Sequence, residues 1–403
     1  MSEAQAPAPR GSILSEIDLP LFTAMSLHTV FVYVAVVMAR VTASYAMLDL
    51  DLSFFWVGVI SSAYALIPIF IAVPLGRLND RGYDSLTIRA GSVGLTLAAL
   101  IFWLMTPGPL SLFIATAMLG VGQITCMGGH QMVCIRAGKT TRGRDAIFGY
   151  QMVAIATGQG FGPLLVAWIA GDALRPPISL LFGVLVILTL LALASSFFVK
   201  SGPTRDSKTA AASPPVGLIE LLKMRGLLAY VVASIMTITA LDLIVIYLPL
   251  LGAERHMDVA TVGLIMAVRA ASSMTARLVY VPLVDLMGRG PLTYLAMLSP
   301  AAAFIVVASS APLWAIYIAM VVAGMGLGVS ATLTLSGVVD LAPPTARATA
   351  MSLRLTGNRI GLIIIPMGAS MIAAFTGAAG VFVILAACLT GSAAGVWKGR
   401  SRD

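Results

Sequence analysis

About twelve apolar runs, each near the ~20 residues a bilayer core demands, fill most of this 403-residue chain. Lipid offers no water to backbone N–H and C=O groups, so runs of that length must close their hydrogen bonds internally, as helices. The first six fall at 22–47, 54–75, 86–106, 109–135, 146–170 and 177–199. The second six fall at 226–251, 259–283, 291–309, 312–338, 347–373 and 377–397. Composition leaves no other solvent for this surface: 59% of residues are hydrophobic and 10% charged, against about 25% charged in soluble domains. An all-α membrane protein with twelve transmembrane helices is expected.

The runs are organised as a repeat. Gly76-Arg77-Leu78-Asn79-Asp80-Arg81 follows the second run, and Pro282-Leu283-Val284-Asp285-Leu286-Met287-Gly288-Arg289 follows the eighth. Asp80 and Asp285 stand roughly 205 positions apart. Pro163 in the fifth run matches Pro366 in the eleventh at nearly the same offset. These features divide the chain into an N-terminal segment (1–21), a first six-helix bundle (22–199), a polar linker (200–225), a second bundle (226–397) and a short tail (398–403). Two pseudo-symmetric bundles in so apolar a chain are the layout of a membrane transporter.

Basic residues set the orientation. Arg77, Arg81, Arg136, Lys139, Arg142, Lys200, Arg289 and Arg347 share one set of short loops with most other Lys and Arg. The opposite loops hold only Arg175 and Arg255, beside Asp49, Asp51, Asp172, Glu254 and Asp258. The positive-inside rule then puts both termini and the linker in the cytoplasm of a multi-pass inner-membrane protein. Trp56, Trp103, Trp168 and Trp314 fall at the predicted outer ends of runs, where an indole settles at headgroup level. Glu16 and Asp18 stand where a cleavable signal would need its apolar stretch, so the first run is expected to stay.

The net charge of +8 belongs to these loops, and no nucleic-acid partner is expected. Cys126, Cys134 and Cys388 lie inside apolar runs without metal-ligand spacing and read as packing residues. His28 and His130 lie within runs and His256 in a polar turn, and each is expected to be structural. No nucleotide-binding loop, metal-ligand cluster or nucleophile–base pair stands out, so neither enzyme activity, metal nor cofactor is expected.

With these residues in place, the chain resembles the major facilitator superfamily over essentially its whole length. The loop Gly76-x-Leu78-x-Asp80-Arg81 is similar to that family's motif between spans two and three, and Asp285 to Arg289 is similar to its echo between spans eight and nine. The resemblance implies two six-helix bundles around a central cavity, working by rocker-switch alternating access. Gly82-Tyr83-Asp84, Val281 and Leu286 depart from the pattern, which implies weaker gating at both loops. Gly158-x-x-x-Gly162-Pro163 is similar to the fifth-span motif of drug/proton antiporters, although Thr116 stands about where those carry an arginine in span four.

Charges within the runs must face a cavity or a partner, since each costs at least about 2.5–3.5 kcal/mol at the bilayer centre. Asp242 lies about 13 Å and Arg269 about 15 Å from the outer ends of successive spans, so the two are expected to form a proton-sensitive ion pair. Arg40 and Arg359, with Arg269, would make a positive pocket suited to carboxylate or phosphate. Asn358, Gln123, Gln131, Gln151, Tyr33 and Tyr247 are further candidates for substrate contact, with Gln123 and Gln131 on one helical face. Gly76, Asp80, Arg81, Asp285, Gly288, Arg289, Gly158, Gly162 and Pro163 are the gating candidates, with Asp340 and Arg347 beside the loop cluster. The expected function is secondary active transport of a small molecule, driven by protons, by a monomer. Two alternatives stay open: a drug or metabolite exporter by proton antiport, and an organic-anion importer by proton symport. A transport-inactive receptor on the same fold is a third.

Overall fold

The structure, a computed structural model, describes residues 13–200, 224, 226–343 and 347–400. After a short 3-10 turn at Ile13–Glu16, the first half is α1 (Leu19–Asp49), α2 (Phe54–Asp80), α3 (Asp84–Leu104), α4 (Pro109–Ala137), α5 (Thr141–Ala170) and α6 (Ile178–Ser196). The second half is α7 (Leu227–Glu254), α8 (Val259–Leu278), a short α9 (Tyr280–Met287), α10 (Arg289–Ala308), α11 (Leu313–Leu341) and α12 (Arg347–Arg400). Nearly all of the linker expected at 200–225 lies outside the described residues.

Local chemistry fixes the helix ends. Asp18 accepts from the backbone N–H of Leu21, Thr140 from Gly143 and Asp258 from Thr261, each satisfying a first-turn donor with no helical partner. The run at 259–283 proves to be two helices rather than one, divided between Leu278 and Tyr280. At the C-terminal end the two runs expected at 347–373 and 377–397 lie within one apolar stretch of 48 residues, Thr349–Val396, that breaks into two helices where they were expected to part. That is more than twice what one crossing needs. The stretch turns at Gly377, whose φ of 70° and ψ of −176° are open to glycine and strained for other residues. Glu254 at the end of α7 accepts from the backbone N–H of Ala378 at 2.9 and 3.1 Å, capping the helix where it restarts. Among the described residues eleven helices are long and apolar enough to cross a membrane, and the last, broken at Gly377, is long enough for two crossings.

In the first half α1 packs on α5 and α6, α3 on α4 and α6, and α2 on α4. The second half repeats this: α12 packs on α7 and α10, and α11 on α7, α8 and α10. Ring pairs mark the same joint in each, Phe102 on Phe182 at 4.8 Å and Phe304 on Phe382 at 5.8 Å. The chain ends of α1 and α12 define one face of the molecule, called here the termini face. On that face each half carries an ion pair between its third and fourth crossings: Asp84–Arg136 at 2.5 Å in the first, Arg289–Asp340 in the second. The signs are exchanged between the halves. Asp84 belongs to the very segment that departs from the family pattern, and it is fully buried.

The halves meet through α1–α7, α2–α12 and α5–α8. Toward the far face the last two contacts are backbone-close. A Cβ on Gly58 of α2 would lie 2.7 Å from Cβ of Ser370, and one on Gly263 of α8 would lie 2.6 Å from Cβ of Ala167 and 2.7 Å from the Pro163 carbonyl. Only glycine allows this approach. Gly263→Leu should therefore strain the closed far face by about 1–3 kcal/mol. With Ala167→Cys as a reporter, labelling by an impermeant thiol reagent from the far side should rise roughly tenfold. Unchanged labelling would show that this contact does not close that face.

Candidate functional site

Arg40 of α1 and Asp242 of α7 form the central feature. Arg40 Nη2 donates to Asp242 Oδ2 at 2.7 Å and Nη1 donates to Oδ1, a two-pronged arrangement. The side chains are only 8% and 11% exposed. The guanidinium also lies over the ring of Tyr64 of α2, 4.3 Å from its centroid. The residues are 202 positions apart, so the pair joins equivalent points of the two halves. The expected pairing of Asp242 with Arg269 is thus corrected. Depth on neighbouring helices suggested Arg269, but depth carries no azimuth, and the face of α7 that bears Asp242 looks across to α1.

Released from that pairing, Arg269 is buried on α8, its Nε without a partner among the described residues. Arg277 lies about two turns further along the same face, close enough for the two guanidinium charges to repel each other. Its Nη1 is likewise buried and unpartnered among the described residues. Tyr33 of α1 sits within the field of both Arg277 and Arg359 and within hydrogen-bonding reach of Gln123. Tyr64 sits within the field of Arg40, Asp242 and Arg359. The fold thus brings together Arg40, Asp242, Tyr33, Gln123 and Arg359 from the expected set and adds Tyr64 and Arg277. One negative charge faces several positive ones.

On the termini side of these residues α5 and α8 diverge. A cavity of about 410 Å³ opens there, lined by Ala146, Gly149, Tyr150, Met152 and Val153 of α5, Met274, Arg277 and Leu278 of α8, and Thr332 of α11. Its walls are mostly apolar, with the Arg277 guanidinium as the one charged group and Tyr150 and Thr332 adding hydroxyls. Arg277 escaped the sequence reading because arginine is ordinary near a helix end, although its spacing from Arg269 was a signal.

Other expected site residues lie elsewhere. Gln131 is exposed while Gln123 is buried, so they do not form one stripe. Gln151 donates to Thr29 at 2.9 Å inside the first half. Ser234 donates to Asn358 at 3.2 Å, tying α7 to α12. Tyr247 is fully buried in the apolar core, with its hydroxyl unpartnered among the described residues. Gly158 and Gly162 press on α1 at Tyr33 and Val34, and Pro163 meets α8. Gly76, Arg81, Asp285 and Gly288 are exposed or partly so on the termini face, the loop ion pairs being formed instead by Asp84 and by Arg289 with Asp340. The side chains of Asp80 and Arg347 lie outside what the structure describes.

Among solved structures the chain is similar to the nucleoside transporter NupG in a mutant form (TM-score 0.77, 14% identity, 94% of this chain and 100% of that one). It is similar also to an inward-facing, occupied bacterial homolog of the human lysosomal transporter Spinster (0.72, 15%, 94% and 96%). A third is a POT family transporter in complex with 5-aminolevulinic acid (0.76, 12%, 94% and 96%). At these identities the likeness shows a shared fold. No curated protein matches the chain. The profile of the Major Facilitator Superfamily matches residues 25–258 and 230–402. With two matching halves, a repeated six-helix bundle and a family match over nearly its whole length, the chain belongs to the Major Facilitator Superfamily.

Proposed function

We propose that this transporter moves a small organic anion across a bacterial inner membrane, with protons as the driving ion. The observation that carries this reading is the imbalance of buried charge: Asp242 is taken by Arg40, while Arg269, Arg277 and Arg359 gather with no carboxylate bonded to them among the described residues. A guanidinium fork matches a carboxylate or phosphate, so an anionic ligand supplies what the protein does not. The apolar cavity around Arg277 favours a ligand with one anionic head and a less polar body. The 5-aminolevulinic acid bound by the POT neighbour is a carboxylate of that size, and NupG carries nucleosides.

Coupling is assigned to Asp242. As a carboxylate it holds Arg40 and thereby clasps the two halves; with a proton it loses half of the charge pair, and the halves can part. Protons and anion then travel together, which makes uptake the favoured direction. The fifth-span glycine run is the argument for export, yet Gly158 and Gly162 are accounted for by close packing of α5 on α1. The working unit in this reading is a monomer with both termini cytoplasmic.

Transport by reconstituted protein, under an imposed pH gradient and with a panel of mono- and dicarboxylates, tests this. Asp242→Asn is expected to abolish gradient-driven accumulation and keep counterflow exchange; wild-type accumulation would refute the coupling role. Arg277→Ala should raise KM for the anion by about 10–100-fold, the loss of one charge-assisted hydrogen bond worth about 1.5–3 kcal/mol. An unchanged KM would remove Arg277 from the site. Specific binding without movement of any solute would favour the receptor reading.

A further inference from the structure

The first half contains a second buried polar cluster, remote from Arg40 and Asp242. His28 of α1 and His130 of α4 are 0% and 1% exposed, and their rings meet directly, Nδ1 of His28 lying 2.7 Å from Nε2 of His130. At its other end His28 Nε2 lies 2.9 Å from the hydroxyl of Ser92 on α3. His130 Nδ1 lies 3.4 Å from the hydroxyl of Thr29, which also accepts from Gln151 of α5 at 2.9 Å. Toward the termini face an apolar plug that includes Ile17, Met25, Val133, Cys134 and Ile147 covers the cluster.

Hydrogen counting bears on its charge. Ser92 donates its hydroxyl hydrogen to the Ile88 carbonyl at 2.8 Å, and Thr29 donates to the Met25 carbonyl at 2.9 Å. Both oxygens are therefore placed to accept from the rings. One N–H toward Ser92, one toward Thr29 and one between the rings make three. Two neutral imidazoles carry only two. From the protonated pair we infer that His28 and His130 together bind one proton, forming a proton site separate from the Arg40–Asp242 pair. The third hydrogen sits on His130 Nδ1 and adds one positive charge shared through the N–H···N bond. Without it, the 3.4 Å contact of His130 Nδ1 with Thr29 goes unmade unless one of the two hydroxyls swings its hydrogen from the backbone toward a ring.

The groups facing the pair are Thr29 and Met25 from α1, Ser92 from α3, Cys126 from α4 and, through Thr29, Gln151 from α5. None of these carries a charge. Toward the termini face Asp84 of α3 and Arg136 of α4 form an ion pair, so their opposite charges largely offset each other. Burial opposes a charge here, and the one further hydrogen bond that only the imidazolium makes, from His130 Nδ1 to Thr29, favours it. The proton thereby tightens the joint of α1, α3, α4 and α5 within the first bundle.

Nitrogen NMR of the full chain, labelled at its three histidines and held in lipid nanodiscs, reads this directly; His256, in its polar turn, serves as the reference. The neutral pair shows two hydrogen-free ring nitrogens and the loaded pair one. On stepping from alkaline to acid pH, loss of the His130 Nδ1 signal with retention of His28 Nδ1 is expected. In Thr29→Val, which removes one accepting oxygen, the loss should move to lower pH. Two hydrogen-free nitrogens persisting across the folded range, or both rings loading independently, would overturn the assignment. Neither result depends on which solute is transported or on Asp242.

Discussion

A carboxylate and a guanidinium facing each other at the middle of a lipid-embedded protein set the terms for the rest of this molecule. Taking either charge out of water alone costs several kcal/mol, and removing one partner of such a pair costs about 3–5 kcal/mol. Arg40 belongs to one bundle and Asp242 to the other. Each bundle by itself would strand a charge, and only their contact satisfies both. The pair therefore orders the two halves and, in the proposed cycle, is also where a proton can release them. Tyr64 over the guanidinium holds Arg40 in position from a third helix.

The halves are related by repetition with exchanged signs. Arg40 in the first answers Asp242 in the second; Asp84 and Arg136 answer Arg289 and Asp340. The loop pairs are internal to their bundles and keep each a unit, whereas the central pair runs between them. Backbone contacts at Gly58 and Gly263 shut the far side, and the cavity at Arg277 opens on the termini side. In the proposed cycle this arrangement stands for the state closed at the far end and open at the termini end.

Much of the fold was legible in the chain because lipid permits so few backbone solutions. Apolar length gave the crossings, and the Asp80/Asp285 and Pro163/Pro366 echoes gave the two halves. Chain order could not say which side chains meet. Arg269 matched Asp242 in depth but faces elsewhere, and Arg40, on its repeat-equivalent position, was the partner. His28 and His130 looked scattered because 102 positions separate them, and only the packing of α1 on α4 makes them neighbours. Gln123 and Gln131 shared a helical face by spacing, yet one end of that face is buried and the other exposed. Asp84 looked like a lapse in a loop motif and is the buried half of an ion pair. Direction along a helix is written in the sequence; azimuth between helices is settled by packing.

The central claim is that the Asp242 carboxylate is ionised while it holds Arg40 and takes a proton when the halves part. Infrared difference spectroscopy between alkaline and acid states, with Asp242→Asn subtracted from the native protein, measures that directly. The account predicts a carboxylic-acid band that appears on acidification in the native protein, is absent from the variant and grows with the population opened to the far face. A carboxylate that stays ionised at every pH where the protein is folded and cycling would contradict it.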